Sequence, residues 1–361
     1  MNGNLLFFRF AVCFLLAGAA GCGGHSAAGS PGTDLVVFEH ETTLRDTAGE
    51  QGRILLTLRP GTHLTDQGMV SRFVSQIQFD GKQTESPWIR VVTGDGQSGW
   101  VYAAALTPAQ SGREQWLYGK IMLSYLGPNL VRQRNKWVAG LDSMADLKDF
   151  IRQFRDGHAL RDTMLEVLHH RPEAGKASRK PEYSWLVPLL PGYVFQWVGD
   201  GTQPYLFADY RYWLRQSQKT KQEAAGRFVS VFLASFPRDS IESFFPAWTI
   251  QTGESSGSSQ LGTGKHLMIL KKINAFFEKP GPGETVLLPE LNAWKDRILE
   301  DILSSSNTYW QPDDKIRLEI NQILGAGLKC LTDRDRVDLR ERLQMFGNPA
   351  QYKIPVNLRG G

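Results

Sequence analysis

The stretch PWIRVVTGDGQSGWVYAAAL, residues 87–106, decides the predicted fold of the N-terminal part of the chain. It holds two short runs rich in β-branched and aromatic residues, joined by a turn in which Gly94 and Gly96 permit positive φ angles. Because side chains alternate along a strand, Trp100 and Tyr102 are predicted to share one face. The stretch therefore predicts an antiparallel β-hairpin.

Similar β-type runs precede this hairpin and are separated by glycine, proline and aspartate. The five runs in chain order are DLVVFE, GRILLTL, SRFVSQIQF, PWIRVVT and SGWVYAAAL. Several short strands at such spacing predict a small all-β barrel over residues 34–108. The part from Asp66 to Ser86 is longer than a simple link requires, so we expect an extended hairpin or flap there.

Four elements of this region resemble the bacterial SH3 (SH3b) family in order and spacing. They are Leu44-Arg45-Asp46 at the family's V-R-x element, ILLTLRPG at 54–61, PWIRV at 87–91 and GDGQSGWVYAAAL at 94–106. The resemblance implies an SH3-like barrel that binds peptidoglycan stem peptides or a protein segment. It also implies an aromatic shelf for the ligand, formed by Trp88, Trp100 and Tyr102. The alternative is that Trp88 or Trp100 fills the end of the barrel.

The N-terminal segment LLFFRFAVCFLLAGAAGCGG, residues 5–24, has the character of an export signal. Its continuously apolar part is shorter than the ~20 residues needed to cross a bilayer. The small residues that run into Cys22 resemble a bacterial lipobox, although Ala19 stands where that family usually has leucine. The resemblance implies a signal peptide over residues 1–21 and a fatty-acylated Cys22 at the new N-terminus. The alternatives are an ordinary secretory signal or a membrane span.

The residues directly after the signal predict how the protein is tethered and to which membrane. Residues 22–33 are rich in glycine, serine and alanine and predict a flexible tether. Gly23, rather than aspartate, comes after the cysteine, which by the sorting habit of Gram-negative lipoproteins implies the outer membrane, facing the periplasm.

The net charge and the cysteine content argue against some classes of partner, disulfide and metal site. The formal net charge of +4 is small and dispersed, which argues against nucleic acid as a partner. Of the three cysteines, Cys13 is lost with the signal and Cys22 is acylated, so Cys330 cannot form an internal disulfide or a cysteine-rich metal site. We expect Cys330 to be a small buried residue.

Helical periodicity dominates residues 114–361. The apolar stripes are Leu147, Phe150, Ile151 and Phe154; Leu160, Met164, Val167 and Leu168; Leu267, Leu270, Ile273 and Phe277; Leu291, Trp294, Ile298 and Ile302; Ile316, Ile320, Ile323 and Leu324; Val337, Leu343 and Phe346. Asp142 or Ser143 is predicted to cap the first helix, Gly157 to end it, and Thr332 with Asp335 to form a capping box for the last. The predicted fold is multi-domain α+β: a small all-β SH3-like barrel followed by a mainly α-helical domain.

Within the helical domain, YVFQWVGDGTQPYLFADYRYWL, from Tyr193 to Leu214, is rich in aromatic residues. We interpret it as two β-rich runs joined by a turn at 199–201, that is, a β-hairpin. Its aromatic surface would bind sugar rings or a partner protein, or would be the seam where the hairpin packs onto helices.

Catalytic motifs are incomplete. GESSG at 253–257 matches the nucleophile elbow formally, but no acid separates Ser255 from the downstream His266. GTGKH at 262–266 lacks two positions of a phosphate loop, and the pair His169-His170 has no third metal ligand. We predict no catalytic residue, no metal and no cofactor.

The sequence therefore predicts an envelope-anchored lipoprotein that acts as a binding module. Its expected partners are the membrane, through the lipid on Cys22, and peptidoglycan or envelope proteins. One alternative is a cell-envelope hydrolase with a cryptic acid/base site, for which the candidate carboxylates are Glu173, Glu182, Asp209 and Glu254. The other is a structural scaffold.

Overall fold

The computed structural model describes residues 31–79, 81–110, 112–170, 183, 185–199, 201, 203–251 and 253–356. Over these residues the chain forms a seven-stranded antiparallel sheet followed by helices and a two-stranded hairpin. The predicted α+β class is therefore confirmed. The predicted signal peptide at 1–21 and Cys22 lie outside the described residues.

The first sheet is a single curled antiparallel layer. Its strands are β1 (Asp34–Val37), β2 (Thr42–Arg45), β3 (Ile54–Leu58), β4 (His63–Phe79), β5 (Lys82–Thr93), β6 (Ser98–Tyr102) and β7 (Leu106–Pro108), in the spatial order β3-β2-β6-β5-β4-β1-β7. All five predicted runs contribute strands, and β2 and β7 are additional. The inner face is apolar, with Leu35, Leu44, Ile89, Val91 and Val101 fully buried.

The extended hairpin predicted between Asp66 and Ser86 is confirmed. β4 and β5 pair from Leu64 opposite Thr93 out to the end of β4. Two register shifts, on either side of Val70, interrupt the pairing. Such bulges increase the local twist, so the outer half of the hairpin can turn away from the plane of the sheet.

The first helix, α1 (Arg113–Asp142), is shared by both hydrophobic cores. Trp116 is 3 % exposed and packs in the core of the sheet, whereas residues from Ile121 onward belong to the helical core. Gly127 has φ 75° and ψ 166°, a conformation that breaks the helix and lets Pro128 begin the second half.

The remaining helices are α2 (Leu147–His169), α3 (Leu186–Leu189), α4 (Tyr210–Ser217), α5 (Glu223–Ser235), α6 (Lys265–Glu278), α7 (Leu288–Leu303), α8 (Asp313–Gly325) and α9 (Asp333–Met345). The predicted stripes lie on α2, α6, α7, α8 and α9, and the capping box of Thr332 and Asp335 is confirmed. Val337 is an exception, because it is 40 % exposed on α9 rather than buried.

The predicted helix end at Gly157 is wrong. α2 runs through this residue without interruption, and Asp146, not Asp142 or Ser143, caps its start by accepting a hydrogen bond from the Asp149 amide. A Cβ at position 157 would lie 2.8 Å from the Trp137 ring and 2.9 Å from the Tyr193 hydroxyl. Glycine is needed here for close packing rather than for termination.

The aromatic segment is a hairpin only in its first part. β8 (Tyr193–Val198) pairs with β9 (Gln203–Ala208), and Asp209 then caps α4 by accepting hydrogen bonds from the amides of Arg211 and Tyr212. The second β-rich run therefore ends in a helix. Tyr193, Phe207, Tyr210 and Trp213 are at most 4 % exposed, so the hairpin is mainly a packing seam.

The backbone of residues 32 and 33 lies along β4. The Gly32 amide donates to the Asp66 carbonyl at 2.8 Å, and the Asp66 amide donates to the Thr33 carbonyl at 2.9 Å. Most of the predicted tether, residues 22–30, lies outside the described residues. In the part of the chain that is described, no helix is long and apolar enough to cross a bilayer.

Candidate functional site

The three predicted aromatic ligand residues lie on the outer face of the sheet. Trp88 pairs with Tyr102, and Arg90 with Trp100, across β5 and β6. Because Ile89 and the other alternate residues of these strands point into the core, the paired aromatics point away from it. The predicted common face is thus present.

The extended hairpin covers two of the three rings. Trp88 is 2 % and Tyr102 is 3 % exposed, and their ring centroids are 5.6 Å apart. Trp88 Nε1 donates to Ser75 Oγ at 2.9 Å, and the Tyr102 hydroxyl lies 3.0 Å from the Ser75 carbonyl and 2.5 Å from that of Thr84. Burial raises the pKa of the Tyr102 hydroxyl. A ligand role for these two rings stays a prediction that requires the hairpin to lift.

Trp100 remains partly exposed, and two arginines flank it. In the register of the sheet it pairs with Arg45 of β2 on one side and with Arg90 of β5 on the other. Antiparallel partners share a face, so the three side chains form one row across neighbouring strands. We call Arg45, Trp100 and Arg90 the Trp100 site.

The two arginines are oriented by neutral groups. Arg45 donates to the carbonyls of Glu50 and Gly52, at 2.6 Å each. Arg90 donates to Ser98 Oγ at 3.3 Å. Among the described residues neither guanidinium lies within 4.0 Å of a carboxylate. Arg45 Cζ lies 5.7 Å from the centroid of the Trp88 ring. Two cations thus lie on the face that carries Trp100, without a counter-ion among the described residues, an arrangement suited to a carboxylate on an apolar stem.

A polar cluster between α2, β8 and the segment after α5 is the first candidate for acid/base chemistry. Arg161 donates to Glu242 Oε2 at 2.6 Å, and the Tyr193 hydroxyl lies 3.3 Å from His158 Nδ1. Burial and the nearby Arg161 lower the pKa of His158 to about 4. Burial alone would raise the pKa of Glu242, but the Arg161 guanidinium holds it below its ordinary value. The carboxylate is thereby fixed as one half of an ion pair that joins α2 to the chain after α5.

A second cluster, at the start of α6, contains the serine, histidine and acid of a hydrolytic triad, but the hydrogen bonds between them differ from those of a triad. Ser259 Oγ donates to Asp301 Oδ2 at 2.5 Å, and His266 Nε2 lies 2.8 Å from the same oxygen. A catalytic serine needs the histidine, not the acid, as its hydrogen-bond partner. Ser259 and His266 are 0 % exposed and Asp301 is 8 % exposed, so no substrate reaches them. The cluster is a structural network.

The glycine-rich stretch GTGKH does bind an anionic group, but this group is a side-chain carboxylate of the protein itself. Glu319 of α8 accepts hydrogen bonds from the amides of Gly262, Gly264 and Leu267 at 2.6, 2.9 and 3.1 Å. Gly264 is the N-cap of α6 and has no side chain to cap it, so Glu319 performs that task. The position that a phosphate loop would offer to a phosphate is occupied by this carboxylate.

The other sequence candidates have local structural partners. His169 Nε2 lies 2.8 Å from the Pro204 carbonyl and His170 Nδ1 lies 2.7 Å from that of Glu166, and no group of three metal-ligating side chains occurs among the described residues. The GESSG segment forms a turn in which Gly253 and Glu254 are exposed and residues 255–257 are partly buried. Cys330 is buried as predicted, and burial raises its pKa to about 11.

Of the carboxylates considered for an enzyme, Glu173 and Glu182 lie outside the described residues. The side chain of Asp209 is engaged as the helix cap of α4.

Sequence reasoning missed both arginines of the Trp100 site. Arg90 could have been identified from the sequence, because the short turn between PWIRVVT and SGWVYAAAL places it opposite Trp100. Arg45 could not, because the contact of β2 with β6 joins strands far apart in the sequence.

The chain matches no protein-family profile, no curated protein and no solved structure. The resemblance to bacterial SH3 domains consequently stays a prediction based on four short motifs.

Proposed function

We propose that this protein is an envelope lipoprotein, anchored by fatty acids on Cys22, that binds carboxylate-bearing peptides of the cell wall through the Trp100 site. The ligand class is the stem peptide of peptidoglycan. The anchor holds the protein on the periplasmic side of the outer membrane, within reach of the wall.

The observation that carries this proposal is the row of Arg45, Trp100 and Arg90 across three adjacent strands. Guanidinium groups bind carboxylates in a planar, bidentate geometry, and an aromatic ring beside them accepts an aliphatic stem. Stem peptides present free carboxylates together with the small methyl groups of alanine. The chemistry of the site and that of the ligand are complementary.

The carboxylates of the two polar clusters are already engaged by other side chains, which favours a binding function over hydrolysis. Glu242 is engaged by Arg161, and Asp301 is buried between Ser259 and His266. A general acid or base must reach the substrate proton. The hydrolase alternative therefore has no supporting observation among the described residues.

The scaffold alternative has one supporting observation, which is the rigid joint between the sheet and α1. Lys120 of α1 and Asp66 of β4 form an ion pair with side chains that are 1 % and 0 % exposed. A rigid two-part body would also suit a protein that spaces other envelope components. Binding to the cell wall separates the two functions, because a scaffold does not require it.

The test is cosedimentation of the purified protein with purified sacculi. We expect Trp100→Ala to weaken binding about tenfold, or about 1.4 kcal/mol, and Arg90→Gln to weaken it in the same direction. Trp310→Ala is the matched control, because Trp310 is also partly exposed, at 39 %, but lies outside the sheet. Equal binding by all variants would reject the Trp100 site, and no binding by the wild type would favour the scaffold.

A further inference from the structure

One edge of the sheet is apolar and unpaired. β3 is the last strand in the spatial order, and among the described residues no strand pairs with its outer edge. Ile54 is 53 % and Leu56 is 38 % exposed. An edge strand presents a row of backbone donors and acceptors to any extended chain that approaches it.

The edge lacks the lysine, proline and inward-pointing charge that often prevent pairing. Lysine, proline or inward-pointing charge normally protects such strands, but β3 has the sequence ILLTL and contains none of these. Its one irregularity is a register shift against β2 between Leu56 and Ile54, where Leu55 is the extra residue. From Leu56 to Leu58 the strand pairs regularly with β2, and among the described residues its outer edge is unpaired.

Arginines lie at both ends of the strand. Arg53 precedes β3 and Arg59 follows it, with side chains 78 % and 86 % exposed. Their nearest carboxylates belong to Asp46, at 3.5 Å, and Glu41, at 3.9 Å. Exposed pairs of this kind contribute about 0–1 kcal/mol, so both arginines can be drawn into a new contact at little cost.

We propose that the free edge of β3 binds an extended segment of a partner protein, which adds to the sheet as an eighth strand. The segment has apolar or β-branched residues on both of its faces, because Leu56 pairs with the core residue Leu44, whereas Ile54 lies on the outer face. Acidic residues at both ends of the segment face Arg53 and Arg59. Backbone hydrogen bonds supply affinity, and the flanking charges supply register and selectivity.

A second copy of this chain is a poorer occupant for electrostatic reasons. Antiparallel pairing of the whole strand with itself is centred on Leu56, and it would place Arg53 opposite Arg59 of the other copy, twice. Like charges directly opposite each other in a sheet are destabilising. A partner with acidic flanks replaces two repulsions with two attractions.

This interaction adjoins the Trp100 site, because Ile54 pairs with Arg45, but it uses backbone groups of β3 and not the Trp100 ring. The Trp100→Ala variant is accordingly expected to bind the partner segment as the wild type does. This variant therefore distinguishes a failure of one proposal from a failure of the other.

The experiment measures the fluorescence anisotropy of a labelled seven-residue peptide with the purified protein. The peptide has three valines alternating with two threonines between terminal glutamates. A peptide with terminal lysines tests the charges, and one with proline replacing the central valine tests the backbone ladder. We expect the glutamate peptide to bind at least about tenfold more tightly than either control.

Charge reversal provides the matched protein variant. Arg53→Glu combined with Arg59→Glu is expected to exchange the preference, so that the lysine peptide binds more tightly than the glutamate peptide. The comparison of the three peptides uses the wild-type protein alone. It therefore tests the proposal even if the double variant does not fold. Equal binding of the three peptides, no binding of any of them, or a dimer of the protein in sedimentation equilibrium would overturn it.

Discussion

The Lys120 ammonium of α1 lies 2.5 Å from the Asp66 carboxylate of β4, and the two side chains are buried together between the sheet and the helices. Asp66 also accepts a hydrogen bond from the Gly68 amide at 2.7 Å. A few residues before Lys120, Trp116 packs in the core of the sheet. The first helix therefore fixes the position of the sheet relative to the core of the later helices.

Lys120→Met is expected to lower the free energy of unfolding by about 3–5 kcal/mol, because it leaves the Asp66 carboxylate buried without a cation. Adding Asp66→Asn should restore part of this loss, since both charges are then absent. Urea denaturation gives the values. Arg152→Met, which removes a partly exposed pair with Asp149, is the control and should cost less than about 1 kcal/mol. A loss for Lys120→Met no larger than that of the control would contradict the assigned role.

Glu319→Ala is expected to lower the free energy of unfolding by about 3 kcal/mol, because it leaves three amides at the start of α6 without an acceptor. Glu319→Gln retains one acceptor oxygen and should cost less. Glu300→Ala, at an exposed position of α7, is the reference substitution and should change little. If alanine and glutamine at position 319 cost the same, the carboxylate does not cap α6.

The unfolding free energy should also fall as the pH drops from about 6.5 to about 4, because of His158. Its pKa is 6.5 in the unfolded chain and about 4 in the folded protein. In this range the unfolded state binds a proton that the folded state does not, so acid favours unfolding, by up to about 3 kcal/mol. His158→Gln should flatten this part of the pH profile in thermal unfolding. An unchanged profile would show that the imidazole titrates normally.

Cys22→Ser is expected to move the protein from the membrane fraction to the soluble fraction of the cell envelope, because the hydroxyl cannot replace the thiolate as the acylated nucleophile. Mass spectrometry of the wild type should find a diacylglyceryl group on Cys22. A bare or absent cysteine in the native protein would remove the basis for the proposed location.

Local patterns predicted the elements better than their arrangement. Alternation in PWIRVVT and SGWVYAAAL gave the central hairpin correctly, and the long link after Asp66 indicated the extended hairpin. The apolar stripes gave the helix cores, with the exception of Val337. These features depend on neighbours in the sequence, which is why they could be recognised.

The failures arise where distant residues decide the outcome. Gly157 indicated a helix end, but its neighbours Trp137 and Tyr193 require a small residue inside a continuous helix. Trp88 lies on the same face as Trp100 and Tyr102, yet the distant Ser75 accepts its indole N–H and the hairpin covers its ring. The pairing of Arg45 with Trp100 depends on strand order, which no local pattern encodes.

The most direct test of the Trp100 site is the indole N–H spectrum of the 15N-labelled protein during titration with a purified disaccharide tetrapeptide from peptidoglycan. Trp100→Phe and Trp88→Phe variants assign the two signals. We predict that the Trp100 signal shifts in a saturable manner while the Trp88 signal, held by Ser75, stays in place. A titration in which the Trp100 signal does not move would contradict the proposed function.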